Sequence, residues 1–236
     1  MSNFNIIGLI PARSGSQRIK NKNIKKLGEH PLLAYSISVA RCAKIFDKIV
    51  CVTDSKIYSK IATKYGAEVP ALRPKNISKE SSPDIEWIKW ILDIYKKKIK
   101  LDIFVVLRPT SPFRSVKMIK KALDLFTNTK VDSLRAIEKS KQHPGKMWFI
   151  DSDLMKPVLK KRINNIPWHS NQTKILPQAY IQNASLEISW VSNIYKKKSI
   201  SGSKIIPFIT KGFEGHDINV ATDFEIADQK LKEFLN

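Results

Sequence analysis

A short basic loop near the amino terminus carries residues well suited to phosphate chemistry. The segment Pro11–Asn23, PARSGSQRIKNKN, follows the apolar run Ile6–Ile10, which is typical of a strand buried on both faces. Gly15 permits a close approach of backbone to a ligand. Three cations of the loop are suited to offset the negative charge of a polyphosphate, namely Arg13, Arg18 and Lys22. The loop therefore predicts a nucleotide triphosphate site.

The same loop argues against two common nucleotide-binding classes. It has neither the Gly-Lys-Ser/Thr of the mononucleotide P-loop nor the three glycines of the dinucleotide fingerprint. An ordinary solvated basic loop is the alternative interpretation, and the position directly after a buried strand makes it the weaker one.

Strands and helices alternate along most of the chain, and they must position this loop. Apolar runs predict strands at Ile6–Ile10, Lys48–Thr53, around Val69, Ile103–Leu107, Val131–Ile137, Tyr180–Trp190 and Ile205–Ile209. Helical spacing predicts helices from Pro31, over Ser55–Tyr65 before Gly66, after the Ser82-Pro83 cap, around Val116–Leu123 and at Phe224–Leu231. Such alternation is typical of βαβ units.

We therefore expect an α/β fold with three layers, built as a doubly wound and mostly parallel sheet. Ligands of such sheets bind at the carboxyl ends of the strands, where the basic loop lies. The alternation stops between about residues 142 and 178, where prolines and two tryptophans indicate an excursion from the sheet. We expect a single domain over residues 1–236 that carries this excursion.

The composition limits the partners that the chain could have. A formal net charge of +21 is compatible with nucleic-acid binding, but the lysines are scattered, so we favour a solvated basic surface and no specific nucleic acid. No stretch approaches the roughly 18 apolar residues of a membrane span, and no leader precedes the first strand, so we expect a cytoplasmic protein without a membrane partner. Cys42 and Cys51 are interpreted as reduced core residues.

Four motifs occur in an order that makes the chain resemble a known family. They are IPARSGSQRIKNKN, LRPTSPFR at Leu107–Arg114, LPQAYIQNASLEI at Leu176–Ile188, and DIN at Asp217–Asn219. The sequence resembles the acylneuraminate cytidylyltransferases, or CMP-sialic acid synthetases. The resemblance implies a Rossmann-like nucleotidyltransferase fold of the nucleotide-diphospho-sugar transferase type. It also implies that the anomeric hydroxyl of a 2-keto sugar acid attacks the α-phosphate of CTP and that pyrophosphate leaves.

The resemblance also assigns roles residue by residue. It implies catalytic roles for Arg13, Lys22 and Asp217. It implies nucleotide contacts from Ala12, Arg13, Ser14, Gly15, Ser16, Gln17, Lys22, Asn23 and, at the cytosine, Arg73. The sugar acid would contact Arg108, Thr110, Ser111, Gln178, Asn183 and Glu187. Asp217 and Asn219 would hold Mg²⁺, for which a carboxylate is a suitable hard ligand.

The sequence departs from the family pattern at both ends of this site. Asn219 stands where the family has a second aspartate, which removes one negative charge, and Asp223 is either a substitute ligand or a helix cap. Arg108 replaces a glutamine, and the segment at Glu187 lacks the arginine and tyrosine that face the sugar in sialic acid enzymes. Arg108 and Glu187 could form an ion pair or contact different sugar substituents. The sugar is therefore left open within the nonulosonic and related acids.

Several interpretations remain open at this point. In the resembling family the middle excursion contributes to a homodimer, whereas His143, Trp148 and Trp168 could equally pack a small satellite core. His216 could tune the metal site or lie at the surface. The alternatives to a CMP-sugar-acid synthetase are a nucleotidyltransferase with another acceptor, a basic nucleic-acid-binding protein, and a catalytically weak relative.

Overall fold

The computed structural model describes residues 4–235 and, within these, an alternation of strands and helices. The strands are β1 Ile6–Pro11, β2 Lys26–Leu27, β3 His30–Pro31, β4 Lys48–Val52, β5 Ile103–Val106, β6 Ser133–Lys139, β7 Trp148–Asp151, β8 Leu154–Pro157, β9 Arg162–Ile163, β10 Ile166–Pro167, β11 Tyr180–Trp190 and β12 Ile205–Ile209. The helices are α1 Leu32–Ala43, α2 Lys56–Lys64, α3 Asp84–Lys96, α4 Val116–Thr127 and α5 Ala221–Leu235.

Six of these strands form one sheet in the order β12-β6-β11-β5-β1-β4. β1 pairs in parallel with both β4 and β5, as the βαβ pattern predicts. β11 runs antiparallel to β5, with Glu187 opposite Val106. The α/β class with a mostly parallel sheet is thereby confirmed, although the chain reaches β11 after the central excursion and enters the sheet in the opposite direction.

Helices cover both faces of the sheet, because β1 alternates its apolar side chains between them. Ile10 lies in a core cluster with Leu33 of α1 and Met118 of α4. Ile7 and Leu9 lie in a second cluster with α3. This three-layer arrangement agrees with the prediction, and it brings the carboxyl ends of β1, β4 and β5 to one edge.

The chain divides into two compact units, residues 1–136 with 183–236 and residues 137–182. The excursion predicted at about 142–178 falls inside the second unit. That unit contains two hairpins, β7 with β8 and β9 with β10, so it is more regular than its composition suggests.

Five local predictions need correction. The strand expected near Val69 is reduced to a bridge between Glu68 and Val50, and β6 begins at Ser133 and not at Val131. The polar and basic composition of Arg13–Leu27 predicts a loop over this whole segment, but the segment ends in a short helical turn at Lys22–Ile24 and in β2. The N-cap of α3 is Pro83 and not Ser82, because the helix begins at Asp84. Cys42 is exposed, because it falls on the outer face of α1, whereas Cys51 is buried; both are free thiols.

Candidate active site

The basic loop is fixed to the sheet edge by bonds to the end of β4. Ala12 donates its backbone N–H to Val52 O at 2.9 Å. Ser14 donates from both its backbone N and its Oγ to the Asp54 carboxylate, at 2.8 and 3.0 Å. Asn23 closes the loop by donating from Nδ2 to Arg13 O at 3.0 Å. The backbone of the loop is therefore held in place while several of its side chains face outward.

A cleft of about 230 Å³ opens beside this loop at the carboxyl ends of β1 and β5. Its walls combine the loop with the segment before α3 and the turn after β5. The lining residues are Pro11, Arg13, Ser16, Lys22, Asn23, Arg73, Lys79, Glu80, Ser82, Asp84, Trp87, Arg108, Pro109 and Thr110. Seven of the predicted contact residues are thus brought together here, and the cleft has a markedly basic wall.

Arg13 and Lys22 form the cationic end of the cleft. Arg13 donates from Nη1 to Gly15 O at 2.8 Å and lies 3.8 Å from the exposed carboxylate of Glu80. Lys22 donates from Nζ to Ile218 O at 2.6 Å, which places the Asp217 segment next to the loop. Burial lowers the pKa of Lys22, and the nearby Asp217 charge offsets that shift only in part. Among residues 4–235 neither cation has a carboxylate within 3.5 Å, so both can receive an anionic ligand.

Buried apolar side chains explain why the Asp217 segment lies next to the basic loop. Ile19 of the loop belongs to a buried cluster with Ile218 and with Phe224 of α5. The cluster joins segments that lie almost 200 residues apart, as the Lys22–Ile218 bond shows. Apolar burial therefore holds the loop and the Asp217 segment together.

Arg73 lies inside the protein, at the wall of the cleft. It is only 5% exposed and donates from Nε to Ile77 O at 2.8 Å, with its guanidinium 5.7 Å from the ring centre of Trp87. An exposed cation at a strand end, the alternative for this residue, is thereby excluded. Burial lowers the pKa of Arg73. Its contact with cytosine stays a prediction.

The part of the cleft around Arg108, called the acceptor end below, contains a chain of alternating charges. Arg108 donates from Nη2 to Glu187 Oε1 at 2.9 Å and to Asp84 Oδ2, and the second oxygen of Glu187 lies 2.8 Å from Arg135 Nη1. The Arg108–Glu187 ion pair, one of the two alternatives that the sequence left open for these residues, is present. Asp84 also accepts from the Trp87 indole at 2.7 Å. This end of the cleft is electrically balanced within the protein.

The remaining residues predicted to contact the sugar occupy different positions. Thr110 lines the cleft and accepts on its carbonyl from Ile218 N at 2.8 Å. Ser111 is fully buried, and its Oγ has no hydrogen-bond partner among the described residues. Asn183 is buried, with Nδ2 on Thr210 and Oδ1 accepting from Ser185. Gln178 belongs to the second unit and donates to Ala179 O. Direct sugar contacts from these last three residues stay predictions.

Four of the predicted nucleotide residues are not among those that line the cleft. Ala12 is fully buried, and Ser14 is engaged by Asp54. Gly15 and Gln17 are exposed on the loop. A nucleotide contact through these residues stays a prediction.

Asp217 offers an unused oxygen beside Lys22. Its Oδ1 is buried without a hydrogen-bond partner in the part of the chain that the structure describes, and its Oδ2 accepts from Asn219 Nδ2 at 2.7 Å. Asp223, the third residue of α5, accepts from the backbone N–H groups of Asn219 and Val220 at 2.8 and 2.9 Å, so its carboxylate reaches back to cap the start of the helix. No group of three His, Cys, Asp or Glu side chains suited to a metal occurs in residues 4–235. A carboxylate oxygen without a partner is a ligand type that a hard divalent cation prefers, although neither Asp217 nor Asn219 is among the residues that line the cleft.

His216 and the aromatic residues of the excursion have structural partners. His216 Nε2 lies 3.0 Å from Asp223 O, at the start of α5. In the second unit, His143 lies 2.8 Å from Pro177 O and packs edge-on against Trp168, whose indole N–H is buried without a partner in the described part of the chain. Trp148 packs on the His169 ring. Satellite packing therefore accounts for His143 and Trp168, whereas Trp148 is 36% exposed and a role in a homodimer stays a prediction for it.

Sequence reasoning missed several residues that shape the cleft. Asp54, Asp84, Trp87, Arg114 and Arg135 all bond to parts of the site or line it. Asp54 follows β4, and Arg114 ends the LRPTSPFR motif, so position after a strand was an available signal for both. No comparable signal marks Arg135, because its partner Glu187 is far away in the sequence.

A larger cavity, about 510 Å³, lies at the opposite edge of the sheet. Its walls include Leu101, Asp102 and Trp190, which stand before β5 and at the end of β11. It contains none of the predicted site residues.

No helix within the described residues is long and apolar enough to cross a membrane.

Comparison with known proteins gives consistent results. The family model described as Cytidylyltransferase matches residues 7–205. The chain is 30% identical over 234 residues to the CMP-N,N'-diacetyllegionaminic acid synthase of Legionella pneumophila, covering 96% of both chains. It is 42% identical over 121 residues to an N-acylneuraminate cytidylyltransferase of Escherichia coli, a match that spans 51% of this chain and only 28% of that protein.

A solved structure of CMP:2-keto-3-deoxy-manno-octonic acid synthetase complexed with CTP superposes with a TM-score of 0.70, covering 98% of this chain and 99% of that chain. The two sequences are 12% identical, so this likeness shows the fold alone. It supports the three-layer architecture described above.

Proposed function

The chain belongs to the cytidylyltransferase family, and from that premise we propose that it transfers CMP from CTP to the anomeric hydroxyl of a 2-keto sugar acid, with release of pyrophosphate. The acceptor is an acidic sugar of the nonulosonic class, because the Legionella relative, whose name specifies such a sugar, aligns over 96% of this chain. The observation that carries the proposal is the single cleft in which Arg13, Lys22 and Arg73 face Arg108 and Thr110.

The cationic end holds the triphosphate in this proposal. Arg13 and Lys22 stabilise negative charge on the phosphoryl oxygens and on the departing pyrophosphate, a task that needs fixed cations more than covalent chemistry. Ser16 and Asn23 line the same wall and add hydrogen-bond donors. Arg73 sits further along the wall, where the base of the nucleotide would lie.

The acceptor lies toward Arg108 and Thr110. Its anomeric oxygen attacks the α-phosphorus in line with the bond to the β-phosphate, so a new P–O bond forms as the old one breaks. The proton of the hydroxyl passes to a carboxylate in this proposal. Asp217 is the candidate, because it lies next to Lys22 and its neighbour Ile218 donates to Thr110 O at 2.8 Å. The protein's contribution is mainly the fixed orientation of the two substrates.

Mg²⁺ fits the Asp217 segment in this proposal. Asp217 Oδ1 would be its carboxylate ligand and the Asn219 carbonyl a neutral one, with nucleotide phosphates completing the set. When bound, the ion would add positive charge at the phosphates undergoing transfer.

A homodimer and a cytoplasmic location are part of the same proposal. The β7–β8 hairpin exposes Phe149 at 63%, Ile150 at 79% and Leu154 at 70%, an apolar surface of the kind that a second copy covers. The two free thiols fit a reducing compartment. Sedimentation at micromolar concentration tests the dimer, and a monomer would contradict it.

Incubation with CTP, Mg²⁺ and a panel of 2-keto sugar acids tests the proposed reaction. We expect pyrophosphate release with at least one acid and a product whose mass equals CMP joined to that acid. Thermal unfolding with each nucleotide should show stabilisation by CTP above that by UTP, ATP or GTP. Pyrophosphate release with only a non-sugar acceptor would assign the chain to the alternative nucleotidyltransferase class, and no release with any acceptor would contradict the reaction.

A further inference from the structure

Arg114 is a buried cation to which no carboxylate of the described residues comes within hydrogen-bond range. It is 5% exposed, and each of its hydrogen bonds goes to a neutral group. Its Nε is buried without any partner in the described part of the chain. Burying an uncompensated charge costs several kcal/mol, and an apolar side chain of similar size would avoid that cost. The energetic cost calls for a role beyond packing.

The Arg114 guanidinium joins three parts of the fold. Nη1 donates to Ser185 O on β11 at 2.7 Å, and Nη2 donates to Arg108 O, after β5, at 2.8 Å and to Ser36 Oγ on α1. A planar guanidinium can bond two fixed carbonyls at once, which the point charge of lysine does less well. Arg114 therefore sets the distance between the turn after β5 and the strand that carries Glu187.

The turn held by Arg114 also carries the acceptor end of the cleft. Arg108 O accepts from Ser111 N at 3.2 Å as well as from Arg114, so the turn is closed around one carbonyl. Two residues further along the turn, Thr110 O accepts from Ile218 N at 2.8 Å. A shift of this turn would displace Arg108, Thr110 and the neighbouring Asp217 together.

We propose that Arg114 is a positioning residue for acceptor chemistry: from inside the core it holds the turn 108–111, and through it the Asp217 segment, in the geometry needed for attack on the nucleotide. This inference rests on the proposed function. Burial lowers the pKa of Arg114 and the Asp217 charge opposes the shift, which agrees with an electrostatic link between the two.

The nucleotide end has its own anchors, which makes the proposal specific. Ser14 is held by Asp54, Ala12 by Val52 O, and Asn23 closes the loop on Arg13 O. None of these bonds involves Arg114, and the link from the turn to this end runs through Ile218, whose carbonyl accepts from Lys22 Nζ. Loss of Arg114 should therefore damage acceptor use and turnover more than CTP binding.

The test compares Arg114→Met and Arg114→Lys with the wild type, at a temperature where circular dichroism shows all three folded. For Arg114→Met we expect kcat to fall on the order of 100-fold and the KM for the acceptor to rise, as for a misplaced reacting group. The KM for CTP and the CTP-induced rise in Tm should stay within about twofold and about 1 °C of wild type. Arg114→Lys should recover part of kcat, because it keeps the charge.

Two results would overturn the proposal: wild-type kcat in folded Arg114→Met, or a KM for CTP that rises as much as the KM for the acceptor. If Arg114→Met does not fold, Ser36→Ala removes one partner of the guanidinium and should lower kcat in the same direction by a smaller factor; no change would again contradict the role. Failure of the proposed function is seen separately, as absence of CMP transfer by the wild type in the same assay.

Discussion

The two ends of the cleft treat charge in opposite ways. At the phosphate end, Arg13 and Lys22 bond mainly to backbone carbonyls, and the nearest acidic contact to Arg13 is at 3.8 Å. At the acceptor end, Arg108 bonds directly to Asp84 and Glu187. The first arrangement leaves cations available for a ligand, whereas the second satisfies them within the protein.

This difference separates affinity from selectivity. Cations without a carboxylate at hydrogen-bond distance, here called open cations, attract any polyphosphate, because no nearby negative charge cancels their field. A balanced network attracts no ligand by net charge, and it offers fixed donors and acceptors that favour one shape over another. We therefore expect mutations of Arg13 or Lys22 to lower kcat/KM for CTP, and mutations in the Arg108–Glu187 network to change stability and the KM for the acceptor.

The largest effect should come from Lys22→Met at the phosphate end. Removing a fixed cation next to the phosphates should lower kcat/KM for CTP on the order of 100-fold to 1000-fold. The unfolding free energy should change by no more than about 1 kcal/mol, since loss of the bond to Ile218 O is offset by removal of a partly buried charge. Pyrophosphate release and urea unfolding measure the two quantities.

Lys20→Met is the matched control for this prediction. Lys20 lies two residues away on the same loop, is exposed and does not line the cleft. Lys20→Met should leave kcat/KM for CTP within about twofold of wild type. Equal losses in the two variants would mean that the loop acts through its general charge and would break the contrast between open and paired cations.

Glu187→Gln should give the opposite pattern at the acceptor end. The change leaves Arg135 without its ion-pair partner and weakens the hold on Arg108, so the unfolding free energy should fall by about 3 kcal/mol. The KM for the acceptor should rise while the KM for CTP stays close to wild type. Urea unfolding and steady-state kinetics with both substrates measure these changes.

An exposed ion pair on α5 serves as the control for Glu187→Gln. Lys232 is 70% exposed and lies 3.0 Å from Asp228 on α5, and Lys232→Gln should alter stability by less than about 1 kcal/mol. If Glu187→Gln were as mild as this exposed variant, the acceptor end would not be a buried balanced network.

The features that depend on a single segment of the chain could be predicted from the sequence, whereas contacts between distant segments could not. β1, β11 and β12 could be placed from apolar runs, and the basic loop could be placed after β1. The Arg108–Glu187 pair was foreseeable because both residues fell in recognised motifs. Arg135 was not, because nothing local to β6 indicates that its side chain reaches Glu187. The antiparallel entry of β11 was missed for the same reason, since strand direction depends on the path of the preceding excursion.

Asn219→Asp tests the metal side of the phosphate end, with a smaller expected effect. Asp217 now has Lys22 and Arg114 in its electrostatic surroundings and an amide as its nearest partner, so a divalent cation should bind the free protein weakly. A second carboxylate should tighten Mn²⁺ binding without nucleotide by about tenfold, measured by Mn²⁺ spin resonance. Higher turnover in this variant would support the view of a weakened relative, and unchanged Mn²⁺ affinity would contradict Asn219 as a ligand position.

The smallest and most specific effect concerns pH. Burial lowers the pKa of Lys22 below that of an ordinary lysine, so this cation loses its proton at lower pH than a solvated lysine. Because only the charged form attracts phosphate, kcat/KM for CTP should decline as pH rises through that lowered pKa. Lys22→Arg keeps its charge throughout the range and should move the alkaline limb to higher pH, whereas Lys20→Arg should not. An alkaline limb that is unchanged in Lys22→Arg would show that another group titrates, and Lys22 could then no longer be the open cation on which the contrast between the two ends depends.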